Sequence, residues 1–187
     1  MEVSQVSSKT RSKMSTTVYK LLLATLFTTT LAACGQQAGG DHAPIAIEID
    51  RHTSCALDGM LLADFPGPKG QIHYADRPTP DYFCDLTELF HVYLNPEVVV
   101  PVRALFVQDM GKAEWDDPQG HWIDAKTAWF VHGSSRRGSM GPTIASFAEE
   151  ADARKFVTEF GGTALPFDGI TPDMVVLDGG ALHDKRM

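Results

Sequence analysis

The first 33 residues decide how much of this chain is left to fold. Four basic side chains, Lys9, Arg11, Lys13 and Lys20, stand against the single acid Glu2, and a mostly apolar run from Leu21 to Ala33 follows. That run is too short for a stable bilayer-spanning anchor. Basic start, apolar middle and small-residue end together mark a targeting segment that does not belong to the fold. Met14 to Ala33 alone makes a leader of ordinary length, so Met14 competes with Met1 as the start. Taking 33 residues from 187 leaves 154, Cys34 to Met187, enough for one compact unit or two small ones. The leader takes four of the 16 basic and one of the 24 acidic residues, so 12 and 23 remain and the formal charge becomes −11. Such a surface argues against nucleic acid as a partner. With 43% hydrophobic residues a core is affordable, and three cysteines are too few for a disulfide-packed mini-scaffold or a Cys-rich zinc module.

The leader ends Leu31-Ala32-Ala33-Cys34, which resembles the bacterial lipobox. The resemblance implies diacylglycerol on the Cys34 thiol, cleavage before Cys34 and acylation of the new N-terminus. Several acyl chains hold a protein on a membrane far better than one. The alternative is an ordinary secretory signal followed by a chance cysteine. Gly35, rather than an aspartate, follows Cys34 and favours sorting to the outer membrane. Residues 34–43 then read as a small, polar tether.

Beyond the tether, Ile45, Ile47 and Ile49 alternate as a half-buried strand requires. Pro66-Gly67-Pro68-Lys69-Gly70 separates the apolar run Leu61 to Phe65 from Ile72 to Tyr74, which suggests a hairpin. Asp85 with Glu88 makes a capping-box pattern, and Leu86, Leu89, Phe90 and Tyr93 continue at helical spacing until Asn95-Pro96. Val98 to Val107, interrupted by Pro101, and Thr127 to His132 read as strands on either side of the loop Asp116 to Gly120. Ser146 and Glu149 repeat the capping box before a helix carrying Phe147, Ala151, Phe156, Val157 and Phe160, closed by Gly161-Gly162. Thr163 to Phe167 returns as an edge strand. The order, strands, helix, strand and then the same again, is that of an α+β protein, with the halves meeting within 109–121.

Reactive side chains are few. Cys55 and Cys84 remain beside five methionines and seven histidines, with no Cys-x-x-Cys, no His-Glu-x-x-His, no Gly-rich phosphate loop and no Gly-x-Ser-x-Gly elbow. Cys55 and Met60 lie five residues apart with Gly59 between them, which allows a sharp turn that aims both sulfurs at one point. Soft sulfur ligands select Cu(I) over hard cations. The bland alternative makes Cys55 a small buried hydrophobe and Met60 a core filler. Met140 sits among small residues in the loop Gly133 to Gly141, a poor place for a core residue, and His132 immediately precedes that loop. Cys84 either pairs with Cys55, closing a loop worth roughly 3 kcal/mol, or stays a buried neutral thiol.

Cys55 to Met60 followed by Leu-Leu-Ala-Asp-Phe-Pro-Gly-Pro-Lys, then Tyr82-Phe83-Cys84-Asp85, Trp122-Ile123-Asp124-Ala125 and the Gly-Ser-(four residues)-Ser-Met-Gly loop ending at Gly141 resemble the NosL family of nitrous oxide reductase accessory lipoproteins. The likeness runs from about His52 to about Thr171. It implies a pair of small ββαβ units, here 44–112 and 113–172, with a C-terminal tail at 173–187. It implies a non-enzymatic, periplasm-facing chaperone that carries one Cu(I) per chain toward the copper-sulfide centre of nitrous oxide reductase. The family works beside an ABC-type membrane assembly complex with a periplasmic β-helical component. Residue by residue, Cys55, Met60 and Met140 fall on its motif positions. Many relatives carry a second cysteine where this chain has Asp58, which leaves one thiolate unless Cys84 joins; Met thioethers, His132 or a group from the partner complete the set. Two other classes share the composition: a module for another soft metal or for docking alone, and an enzyme using Cys55 as nucleophile with a histidine base.

Overall fold

In the computed structural model the described residues are 43–95, 97 and 99–177. The leader, Cys34 and the end of the tail lie outside them. Among the described residues no helix is long and apolar enough to cross a membrane.

A four-stranded antiparallel sheet is built from β1 (Gly70–Tyr74), β2 (Asp81–Phe83), β3 (Val102–Gln108) and β4 (Trp122–Asp124), in the order β2-β1-β3-β4. Helix α1 (Leu86–Leu94) connects β2 to β3, and the Asp85 side chain caps it by accepting the Thr87 N–H. Its buried face, Leu86, Leu89 and Phe90, packs on the sheet so tightly that a Cβ on Gly70 would lie 2.2 Å from Leu89. Gly70 is therefore a packing requirement. As Pro101 dictates, β3 begins one residue later.

The second half repeats the order. Strands β5 (Trp129–His132), β8 (Ala145–Phe147) and β9 (Thr163–Pro166) form an antiparallel sheet in the order β8-β5-β9, with α2 (Glu150–Phe160) between β8 and β9. The short ribbon of β6 (Arg137–Gly138) and β7 (Gly141–Pro142) lies between β5 and β8 in sequence. Helix α2 stops at Gly161 (φ +74°) and Gly162 (φ +91°), both in the left-handed region that glycine tolerates best. The fold is thus α+β. Its main core joins residues of both halves, with Phe90 of α1 meeting Phe130 of β5 edge to face at 5.0 Å.

Three local expectations fail. Pro44 to Ile49 pairs with no strand among the described residues: the buried Gln71 side chain satisfies Ile47 N–H (3.0 Å) and C=O (2.6 Å) in place of a neighbouring backbone, and Ile45 stays exposed. Leu61 to Phe65 forms no hairpin with Ile72 to Tyr74. It makes a 3-10 turn, Leu62–Asp64, anchored by one buried leucine, because β1 already has β2 and β3 as partners. Ser146 is not a helix cap. It belongs to β8, where its hydroxyl donates to Gln108 C=O at 2.6 Å and ties the two sheets together, while α2 starts after Glu149 with no side-chain cap.

Candidate metal centre

The segment around Cys55 folds into a tight loop. Ser54 and Leu61 bridge, Cys55 N–H donates to Met60 C=O at 2.8 Å and Gly59 N–H to Cys55 C=O at 3.0 Å. Gly59 has φ +77°, and Asp58 Oδ1 accepts the Met60 N–H at 2.9 Å, so the turn that the Gly between Cys55 and Met60 suggested is present. The loop is pinned to the sheet where Ala56 N–H donates to Tyr82 C=O. That contact brings Cys55 beside Cys84, which lies at the junction of β2 and α1.

Both cysteines are free thiols, so the disulfide alternative is not taken. Each Sγ lies 3.3 Å from the same atom, Oε2 of Glu88, and Cys84 Sγ is also 3.2 Å from Ser139 Oγ. Potential ligand atoms of Cys55, Asp58, Cys84 and Glu88 all lie within 4.8 Å of one another. Cys55, Cys84 and Glu88 are at most 3% exposed, whereas Asp58 faces solvent. Charge is scarce at such burial, and the groups divide it. The hydrogen bond from Cys84 is the main cause that lowers the Cys55 thiol to about 6, while the same interaction and burial push Cys84 up. Burial, reinforced by the neighbouring Cys55 thiolate, pushes the Glu88 carboxyl up to about 8. At neutral pH the cluster therefore holds one ready thiolate, one neutral thiol and one protonated carboxyl.

Beneath it lies Lys69, 1% exposed, whose Nζ donates to the carbonyls of Phe65 (2.7 Å), Pro66 (3.1 Å) and Cys84 (3.2 Å). Burial lowers its pKa to about 8 against the pull of Cys84, Asp85 and Glu88. Asp85, whose pKa burial raises, spends Oδ1 on Thr87 N–H and on the Thr143 hydroxyl, and its buried Oδ2 has no partner.

Above the cluster opens a cavity of about 410 Å³ whose wall includes Asp58, Glu88, His132, Met140 and Met174. His132 ends β5 and Met140 stands at the tip of the β6–β7 ribbon, 43% exposed. The structure thus brings His132 and Met140 to the cavity that Glu88 joins to the thiols. Met60 does not line it; its side chain packs against the main core. Cys34 lies outside the described residues. Sequence reasoning overlooked Glu88 and Lys69. Glu88 looked like the partner in a capping box, and the signal available was its i, i+4 spacing from Cys84, which puts both on one side of the helix start. Lys69 sat in a turn-rich stretch that reads as surface.

The family model described as NosL matches residues 46–175, which takes in both sheets and the whole cluster. The copper-binding lipoprotein NosL of Stutzerimonas stutzeri is 35% identical over 168 residues, 87% of each chain. The copper-binding lipoprotein NosL of Achromobacter cycloclastes is 39% identical over 121 residues, 63% of each chain. The crystal structure of the copper chaperone NosL from Shewanella denitrificans is similar at a TM-score of 0.67 and 42% identity, covering 69% of this chain and 97% of that one. With the family model spanning the folded residues and a relative of this identity matching nearly the full length, the chain belongs to the NosL family.

Proposed function

We propose that this protein is a copper chaperone, anchored to a bacterial membrane by lipid on Cys34, that carries one Cu(I) per chain. The observation that carries the reading is the pair of buried thiols outside any disulfide, one of them ionised at neutral pH, both against Glu88, which lines a cavity edged by a methionine and a histidine. Thiolate and thioether donors select Cu(I), and the thiolate contributes most because its charge offsets the metal's. Cys55 is the principal ligand, Cys84 the second sulfur, and Met140 and His132 the donors that reach in from the cavity wall. Met60 is the remaining candidate from the sequence motif, at the end of the Cys55 loop.

Donors that lie on loops at a cavity mouth allow copper to leave by stepwise ligand exchange, never free in solution. The cargo's destination is the copper-sulfide centre of nitrous oxide reductase, reached through the ABC-type assembly complex at the periplasmic face, with the anchor in the outer membrane. The test compares reductase abundance and reductase copper content in a deletion strain and in Cys55→Ser and Cys34→Ser strains under copper limitation. The expected result is normal polypeptide with low copper in the deletion and Cys55→Ser strains, and release of the Cys34→Ser protein from membranes. Full copper loading in both the deletion and Cys55→Ser strains would contradict the chaperone reading. A second reading has one observation in its favour: two sulfurs and two carboxylates within 4.8 Å are also a donor set that Zn(II) accepts.

A further inference from the structure

The cluster's donor set does not by itself choose between a monovalent and a divalent ion. Asp58 and Glu88 add oxygen ligands to the two sulfurs, and oxygen with sulfur suits zinc as well as copper. What distinguishes the two ions at this place is charge, and the fold has put a fixed positive charge directly behind the cluster. Lys69 is 1% exposed, and its Nζ has three carbonyl acceptors, those of Phe65, Pro66 and Cys84. An ammonium has three N–H donors and a neutral amine two, so this cradle is matched to the charged form. One of the three acceptors is the backbone oxygen of a sulfur-bearing member of the cluster. The residue is also held at its own backbone, where Lys69 N–H donates to Gln108 Oε1 at 3.0 Å and Gln108 N–H returns to Lys69 C=O at 3.2 Å. Its charge therefore cannot swing away when a cation arrives.

We propose that Lys69 is a specificity-determining residue, whose buried ammonium biases the cluster toward monovalent and against divalent cations. The inference rests on the reading above, that this cluster receives the cargo. Repulsion from Lys69 is twice as large for a divalent as for a monovalent ion at the same position. An ion held on Cys84 Sγ sits about one residue's reach beyond the carbonyl that Lys69 binds, roughly 8 Å away. At an effective dielectric of about 20, the extra unit of charge then weakens divalent binding by about thirtyfold. The same ammonium also offsets the charge of the neighbouring Asp85 carboxylate, which would otherwise attract a second positive charge.

The experiment measures anaerobic Cu(I) affinity and Zn(II) affinity at pH 7 for the mature full chain, each by competition with a chromophoric chelator of that metal. It is run on the wild type, Lys69→Met, Lys69→Gln, Lys69→Arg and Cys55→Ser. The readout is the ratio of Zn(II) to Cu(I) affinity, which a purely structural role would leave in place because both ions bind the same folded state. The expected result is a rise in the ratio of at least tenfold in Lys69→Met or Lys69→Gln, with Lys69→Arg close to wild type. A ratio unchanged in either neutral variant that folds overturns the proposal, and Lys69→Gln keeps two donors for the carbonyl cradle should Lys69→Met not fold. Cu(I) binding insensitive to Cys55→Ser overturns this inference together with the function it rests on, whereas Cu(I) binding lost in Cys55→Ser with an unmoved ratio overturns this inference alone.

Discussion

Replacing Glu88 by glutamine should stabilise the protein at neutral pH, and by an amount that depends on pH. Glu88 is 2% exposed, and burial holds its carboxyl up to about 8, whereas the unfolded chain titrates it near its ordinary 4.5. The folded state therefore keeps a proton that the unfolded state has lost. A carboxyl raised in this way contributes fully below pH 4.5, and its contribution is lost as pH rises toward 8, because ionisation favours the unfolded chain. The linked loss is about 0.8 kcal/mol by pH 5 and about 3.3 kcal/mol by pH 7, a difference of about 2.5 kcal/mol. Glutamine has nearly the same shape, keeps a carbonyl oxygen to accept from the Cys84 thiol and an N–H to donate to the Cys55 thiolate, but it does not titrate. Because Cys84 is the chief cause of the low Cys55 value, the thiolate survives the substitution and cancels in the comparison. Urea unfolding of wild type and Glu88→Gln at pH 5 and pH 7, in reductant, should show the gap in the variant's favour widening by about 2.5 kcal/mol. A gap constant to within about 0.5 kcal/mol would refute the claim that Glu88 is held protonated, and with it the charge division that leaves one thiolate in the cluster.

Two further outcomes follow from the same geometry. Since Cys55 is lowered to about 6, Cu(I) competition titrations between pH 5 and pH 8 should show the slope of log affinity against pH falling by one unit near pH 6, where that thiol no longer has a proton to release; a slope unchanged through pH 6 would contradict it. A Cβ on Gly138 would lie 2.2 Å from Asp85 Oδ2 and 3.0 Å from Thr143 Cβ, so Gly138→Ala should cost about 1–3 kcal/mol in urea unfolding and loosen the ribbon that carries Ser139 and Met140. Stability within about 0.5 kcal/mol of wild type would mean that this contact yields cheaply.

The elements that were legible in the sequence are those whose own residues dictate them. Asp85, the spacing of Leu86, Leu89 and Phe90, and Asn95-Pro96 specify α1 from start to stop, and Gly161-Gly162 ends α2. The failures are places where a partner distant in sequence overrides the local pattern. Alternating isoleucines at 45–49 look like a strand, but the side chain of Gln71 takes the hydrogen bonds that a strand would have supplied. Ser146 carries a cap signature, but the Gln108 carbonyl of the other sheet claims its hydroxyl. The site divides in the same way. Cys55, His132 and Met140 stand out as candidates in the sequence because soft or basic side chains on or beside loops are chemically conspicuous. Glu88 and Lys69 do not, because a glutamate near a helix start and a lysine after Pro-Gly-Pro are ordinary surface residues until the fold buries the first against two thiols and the second against three backbone carbonyls. Cys84 stands in the sequence as an alternative ligand, and the contacts of Ala56 with Tyr82 and of both thiols with Glu88 bring it to Cys55.

The central claim is that Cys55 and the groups gathered around it form the copper site. Anaerobic titration of Cu(I) into wild-type and Cys55→Ser protein, against a competing Cu(I) chelator at pH 7, addresses it most directly. The account predicts one tightly bound Cu(I) per wild-type chain, and at least a hundredfold weaker binding once the thiolate is gone. Equal affinity in the two proteins would contradict it and move the metal away from this cluster.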